Sequence, residues 1–198
     1  MNINKNKVFR YTCICILSFL IFSIGAVYTM YKVFASYDQS TLYYLSSGKY
    51  PSQTTPFKPY VYRVYMDTFR DSKEDLLTLY PDPITFFLMD DGADFQTKKN
   101  NIQHALDKGI SINMQSMNRT KKTPLHNAIV LVDKPMFYFL IAKGAKLDIR
   151  DSENHTPLEF AKELLSSIQK RYEKDKTLDD VNNIASLKEM IEYLEKNK

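Results

Sequence analysis

Three histidines, two cysteines and the paired carboxylates Asp90–Asp91 and Asp179–Asp180 are the residues of this 198-residue chain with the most obvious capacity for chemistry. None of His104, His126 and His155 has a second histidine or a carboxylate at the spacing of a zinc-binding HExxH helix. Cys13 and Cys15 lie close together near the N-terminus, so everything from Ser36 onward lacks a disulfide framework and a cysteine-based zinc site. Asp90–Asp91 follows an apolar helical run, and Asp179–Asp180 opens a helix, where negative charge suits the dipole. General acid–base work needs two such groups facing a cleft, and helix ends on a convex surface rarely make one. There is no G-x-S-x-G, P-loop or G-x-G-x-x-G, and five glycines give little material for a phosphate cradle. The expectation is a protein without catalytic residues, metal or cofactor, acting on no small-molecule substrate.

The elements that carry these residues begin with an apolar run. Residues 1–35 hold no Asp or Glu, and their only charges are Lys5, Lys7, Arg10 and Lys32. From Tyr11 to Tyr31 (YTCICILSFLIFSIGAVYTMY) no side chain is charged. Roughly 20 such residues cross a bilayer as a helix, and Tyr11, Tyr28 and Tyr31 stand where aromatic rings favour the interface. Basic residues concentrated before the run place the N-terminus in the cytoplasm. The run is longer than a signal-peptide core, and GAVYTMYKVFAS offers no clean small-x-small cleavage site. The reading is residues 1–10 cytoplasmic, 11–31 transmembrane and 32–70 a Tyr-rich linker or N-terminal cap.

Without the four basic residues of the anchor, 23 Lys and Arg face 23 Asp and Glu. A near-neutral domain lacks the basic excess of a nucleic-acid binder.

TPLHNA begins at Thr123 and TPLEFA at Thr156, 33 residues later. Threonine can cap the free N–H groups of a helix start. Proline fits the first turn, where its missing N–H costs nothing. Leu125 and Leu158 then point inward, and Ala128 and Ala161 let helices approach closely. FYFLIAKGAKLD (137–148) reads as a second helix ended by Gly144, a residue that tolerates the left-handed conformation. Upstream, PDPITFFLMDDGADF (81–95) aligns with VDKPMFYFLIAKGAKL on Pro83/Pro135, Phe87/Phe139 and Gly92/Gly144. That alignment makes SKEDLLTLY (72–80) the first helix of an earlier unit.

A period of 33 with T-P-L-H resembles the ankyrin-repeat family over roughly Ser72 to Lys198. The resemblance implies an all-α fold, a short helical solenoid of about three irregular repeats. Repeats fall within 71–151, and the last repeat with a helical cap within 152–198. It makes Thr123, Pro124, Leu125, His126, Gly144, Thr156, Pro157 and Leu158 repeat-structural residues, with His126 hydrogen bonding inside the turn. Three departures stand out. Gly92 and Gly109 are too close for a full unit, and NNIQHALDKGISIN supplies one helix where the family has two. Lys121 and Asn154 replace the turn glycine, and lysine resists that conformation, so the turn before Thr123 is expected to be distorted. After TPLEFA a long charged helix runs to about Lys174. A final helix carries Leu178, Val181, Ile184, Leu187, Ile191 and Leu194 on one face, as a solenoid cap requires.

Tyr37 to Phe69 contains seven tyrosines, which either pack or form an aromatic patch for a partner. STLYYLSSGKYP suggests a short helix near Gly48; YVYRVYMDTFR favours a helix covering the open N-terminal end of the stack.

Ankyrin-like stacks bind proteins through projecting turns and the exposed side of their first helices, as the resemblance implies. Carried onto this chain, the partner-binding positions are Arg119, Thr120, Lys122 and Val130 in one repeat, and Ser152, Glu153, His155 and Glu163 in the next; Leu131 and Leu164 either join them or pack. NRT at Asn118 and NHT at Asn154 match the glycan acceptor pattern. A glycan at Asn154 would crowd the capping Thr156, which favours a bacterial envelope over a eukaryotic secretory route. The whole is similar to bacterial ankyrin-repeat immunity proteins, anchored or periplasmic, that neutralise toxins such as phospholipases delivered by type VI secretion. The expected location is the bacterial inner membrane, single-pass, with the repeats periplasmic and a toxin or effector as protein partner. The alternative is an envelope scaffold or adaptor that recruits a periplasmic or membrane enzyme.

Overall fold

The computed structural model describes residues 25–29, 31–47, 64–66 and 70–197, and among these every regular element is helical. The chain divides into two compact units, Met1–Arg70 and Asp71–Lys198.

In the first unit, residues 31–35 are helical and α1 spans Gln39–Ser47. Asp38 caps the start of α1, accepting from the Thr41 N–H at 2.9 Å. Phe34, Leu42, Leu45 and Tyr65 form a buried cluster flanked by Tyr37 and Met66. The Phe34 and Tyr65 rings meet edge to face at 5.0 Å, a favoured aromatic geometry. Tyr43 is buried as well, so at these two positions tyrosine serves packing. The expected span 11–31 lies outside the described residues except for 25–29 and 31, and among the described residues no helix is long and apolar enough to cross a membrane. Of YVYRVYMDTFR, only 64–66 and Arg70 fall within the description.

The second unit contains α2 (Lys73–Leu76), α3 (Pro83–Leu88), α4 (Phe95–Asp107), α5 (Pro124–Val130), α6 (Lys134–Ala142), α7 (Pro157–Asp175) and α8 (Leu178–Lys196). Helices α3, α5 and α7 touch in succession, as do α4, α6 and α8, and each member of the first row packs on its successor in the second. The result is three helix pairs in two rows. Ala128 and Ala161, both wholly buried, let the first row close up, while Phe137, Leu140, Leu187 and Leu194 fill the space between rows. Truncating such a residue typically costs about 3–5 kcal/mol.

Capping explains where the helices begin. Thr123 and Thr156 accept from the N–H groups of His126 and Glu159, whose side chains reach back in reciprocal capping boxes. Asp82 caps α3 by accepting from the Thr85 N–H at 2.8 Å, followed by Pro83. Thus Asp82-Pro83-Ile84 stands where the later pairs have Thr-Pro-Leu.

This corrects the expected register. Helix α2 is a single turn, and Pro83–Leu88 is the first helix of its pair, with α4 as the second. The insertion between α3 and α4 (Met89–Asp94) displaces Gly92 from the helix-ending role, which Gly109 takes instead. At Gly109 and Gly144 the backbone turns left-handed, φ 83° and 89°. In each case the following N–H bonds back into the helix, Ile110 to the Ala105 carbonyl and Ala145 to that of Leu140. These are Schellman endings. The α5–α6 turn uses the same ending with Val132 at φ 52° and Asp133 N–H to the Ala128 carbonyl. Lys121 takes φ 48° and Asn154 φ 67°, so the turn before Thr123 keeps the left-handed residue and is not distorted. In α8 the expected apolar face holds from Leu187 to Leu194, but Leu178 and Val181 are exposed.

Candidate functional site

The turns preceding α5 and α7 are built alike. Asn118 Oδ1 accepts from the Thr120 N–H, and Asp151 Oδ1 accepts from the Glu153 and His155 N–H groups. The segments leading in and out are joined by Ser116 N–H to the Lys122 carbonyl and Asp151 N–H to that of His155. Successive turns are themselves bonded: Met117 N–H donates to the Pro81 carbonyl at 2.8 Å, and Ser152 N–H to that of Thr120 at 2.9 Å. Gln115 adds a side-chain clamp, its Nε2 donating to the carbonyls of Lys121 and Arg150. A row of linked turns therefore runs along one edge of the helix pairs.

His126 closes the first turn onto the second. Its ring is buried, and Nε2 lies 3.1 Å from the His155 carbonyl. The Thr123 N–H points at Nδ1, so Nδ1 accepts and the proton sits on Nε2. Burial holds this histidine below its ordinary range, outweighing the His155 carbonyl and the charge of Asp151, which act the other way. Phe160 stacks edge to face against the ring. In the next pair Glu159 replaces His126 and pairs with Arg150 at 2.8 Å.

Of the expected partner-facing residues, Arg119, Thr120, Val130, Ser152, Glu153 and Glu163 are exposed and His155 is half-buried. His155 Nδ1 lies 3.4 Å from Glu163 and 3.8 Å from Glu153. Turn 151–155 and the outer side of α7 thereby form one polar surface, with the exposed turn residues Arg119 and Thr120 beside it. Val130 and Leu131 are exposed at the far end of α5.

Lys122 is the exception. Its side chain is 13% exposed, 3.4 Å from the wholly buried Asp151 carboxylate, and its ammonium sits over the Phe160 ring at 4.4 Å. It faces inward and holds the turn; it does not present itself to a partner.

Asp151, Glu153 and His155 bring potential ligand atoms within 4.8 Å of one another. Asp151 Oδ1 is occupied by backbone N–H groups, and the charge beside Oδ2 is met by Lys122. The cluster already has its cation, and a divalent ion there would face an ammonium across the carboxylate. For Asp151, burial raises the carboxyl, but the two N–H groups and Lys122 prevail and hold it below 3.8.

Asp71 joins His104 and Lys108 at the end of α4 in a partly exposed ion cluster. Asp180 is buried against Arg171, whose Nε donates at 3.0 Å, and ties α8 to α7.

Comparison with protein-family models finds no match for this chain, and comparison with curated proteins finds none either.

Proposed function

We propose that this chain is an ankyrin-type protein-binding module carried on an N-terminal membrane helix, and that it acts as a periplasmic immunity protein sequestering a secreted antibacterial toxin such as a phospholipase. The observation that carries the binding role is the linked pair of turns, Thr120 to Ser152, continuous through His155 with Glu163 on α7. Hydrogen bonds fix the backbone of these turns before any partner arrives, which lowers the ordering cost of association. Their side chains alternate in charge, Arg119 against Glu153 and Glu163, giving orientation rather than bulk attraction. The anchor reading rests on the uncharged run Tyr11–Tyr31. Anchoring raises the local concentration of a binder at the surface a membrane-active toxin attacks.

The test is protection. Cells exposed to a sibling strain that delivers the toxin should survive when they express the full chain, and lose that protection when Arg119, Glu153 and Glu163 are all changed to alanine. Survival unaffected by removal of the chain contradicts the immunity reading.

A further inference from the structure

A cleft of about 560 Å³ lies at the last helix pair, lined by Leu147, Leu158 and Leu194 together with Lys146, Asp148 and Arg150. What such a cleft takes is legible one repeat earlier, where the corresponding positions are covered by the chain itself. Counted from the helix-ending glycines Gly109 and Gly144, Asn113 corresponds to Asp148 and Gln115 to Arg150. Asn113 grips the extended segment 144–146 at both polar groups: Nδ2 donates to the Gly144 carbonyl at 3.3 Å, and Oδ1 accepts from the Lys146 N–H at 2.7 Å. Gln115 Nε2 holds the same segment further along, at the Arg150 carbonyl, 2.8 Å. Ala145 is buried in this arrangement and Leu147 partly so.

We propose that the cleft binds an extended segment of a partner protein, seated as residues 144–150 are seated on 113–115. The chemistry of the occupant follows. Alternate side chains are apolar, one small and the next larger, to meet Leu147, Leu158 and Leu194. Asp148 can only accept where Asn113 both donates and accepts, and it is charged where Asn113 is neutral. It therefore selects a backbone N–H with a cationic side chain or free amine beside it. The cleft adjoins the turn 151–155 through Arg150 and Thr156, but Thr120, Ser152 and Glu153 do not line it.

The probe is the heptapeptide Gly-Ala-Lys-Leu-Asp-Ile-Arg, the sequence of 144–150, titrated into the full chain in detergent with the leucine methyl resonances observed. Saturable shifts confined to Leu147, Leu158 and Leu194 are expected, together with about tenfold weaker binding by Asp148→Lys, the loss of one charge-assisted contact. Asp148 is exposed, so an unchanged melting curve shows that this variant is folded. Equal binding of a scrambled peptide, shifts elsewhere, or undiminished binding by Asp148→Lys overturns the proposal. Dilution-dependent shifts of the same leucines without peptide assign the cleft to a second copy of the chain and overturn it equally.

Discussion

His126 Nε2 lies 3.1 Å from the carbonyl of His155, so one repeat's capping residue is also the hydrogen-bond donor to the next repeat's turn. The ring must be neutral for this, because Nδ1 is simultaneously an acceptor from Thr123. Replacing His126 with alanine leaves the buried Thr123 N–H unpaired, worth about 1–3 kcal/mol, while the His155 carbonyl keeps only the Asp151 N–H. Thermal unfolding of the His126→Ala chain should show a loss of that order, and no loss would mean that water replaces the ring.

The same histidine gives a pH dependence. Its pKa is below 6.5 when folded and near 6.5 when unfolded. Between those values the unfolded chain binds the extra proton, so the contribution is complete above pH 6.5 and declines as pH falls through the folded value. The slope of stability with pH below 6.5 should flatten in His126→Gln, as measured by denaturant titration across that range.

Lys122 and Arg119 stand close together in one turn but have opposite parts in the account. Lys122→Ala leaves Asp151 buried without its cation, a loss of roughly 3 kcal/mol. Arg119→Ala should leave the melting temperature unchanged and weaken only partner capture. If the two variants melt alike, the inward placement of Lys122 does not govern the turn.

Asp82 caps α3 with one oxygen while Oδ2 is buried without a hydrogen-bond partner. Burial raises this carboxyl above 3.8, against the lowering effect of the Thr85 contacts. Its contribution is therefore present at low pH and lost as pH rises through the folded value. Asp82→Thr, the residue the chain uses at Thr123 and Thr156, should raise the unfolding midpoint at pH 7, and its advantage should shrink as pH approaches 3.8.

Val132 is a β-branched residue at φ 52° where Gly144 serves in the equivalent ending. Relieving the left-handed strain in Val132→Gly should stabilise the chain by about 1 kcal/mol, net of the entropy that glycine adds to the unfolded state. A destabilised variant would show that Val132's packing outweighs its backbone strain.

The helices α5 to α8 were legible in the sequence because their signals are local: Thr-Pro at the starts of α5 and α7, apolar periodicity within, and Gly144 at the end of α6. The register of α3 was not. Asp82-Pro83-Ile84 performs the work of Thr-Pro-Leu with a different cap residue, and the insertion after Leu88 carries a glycine that imitates a helix ending. Only packing against α5 separates the two readings. Lys121 shows another limit, since a residue that disfavours left-handed backbone is held there by the Asn118 turn and the neighbouring Ser152 bond. The inward turn of Lys122 depends on Asp151 and Phe160, both distant in sequence. No local pattern reports that.

The central claim is that a partner protein lies across the turns and the outer side of α7. The most direct measurement places a photocrosslinking residue at Ser152, at Glu163 and, on the exposed side of α8, at Lys188, in the full chain expressed in its own cells. The account predicts one discrete protein adduct shared by the Ser152 and Glu163 positions and none at Lys188. An adduct at Lys188 with neither of the others would contradict it.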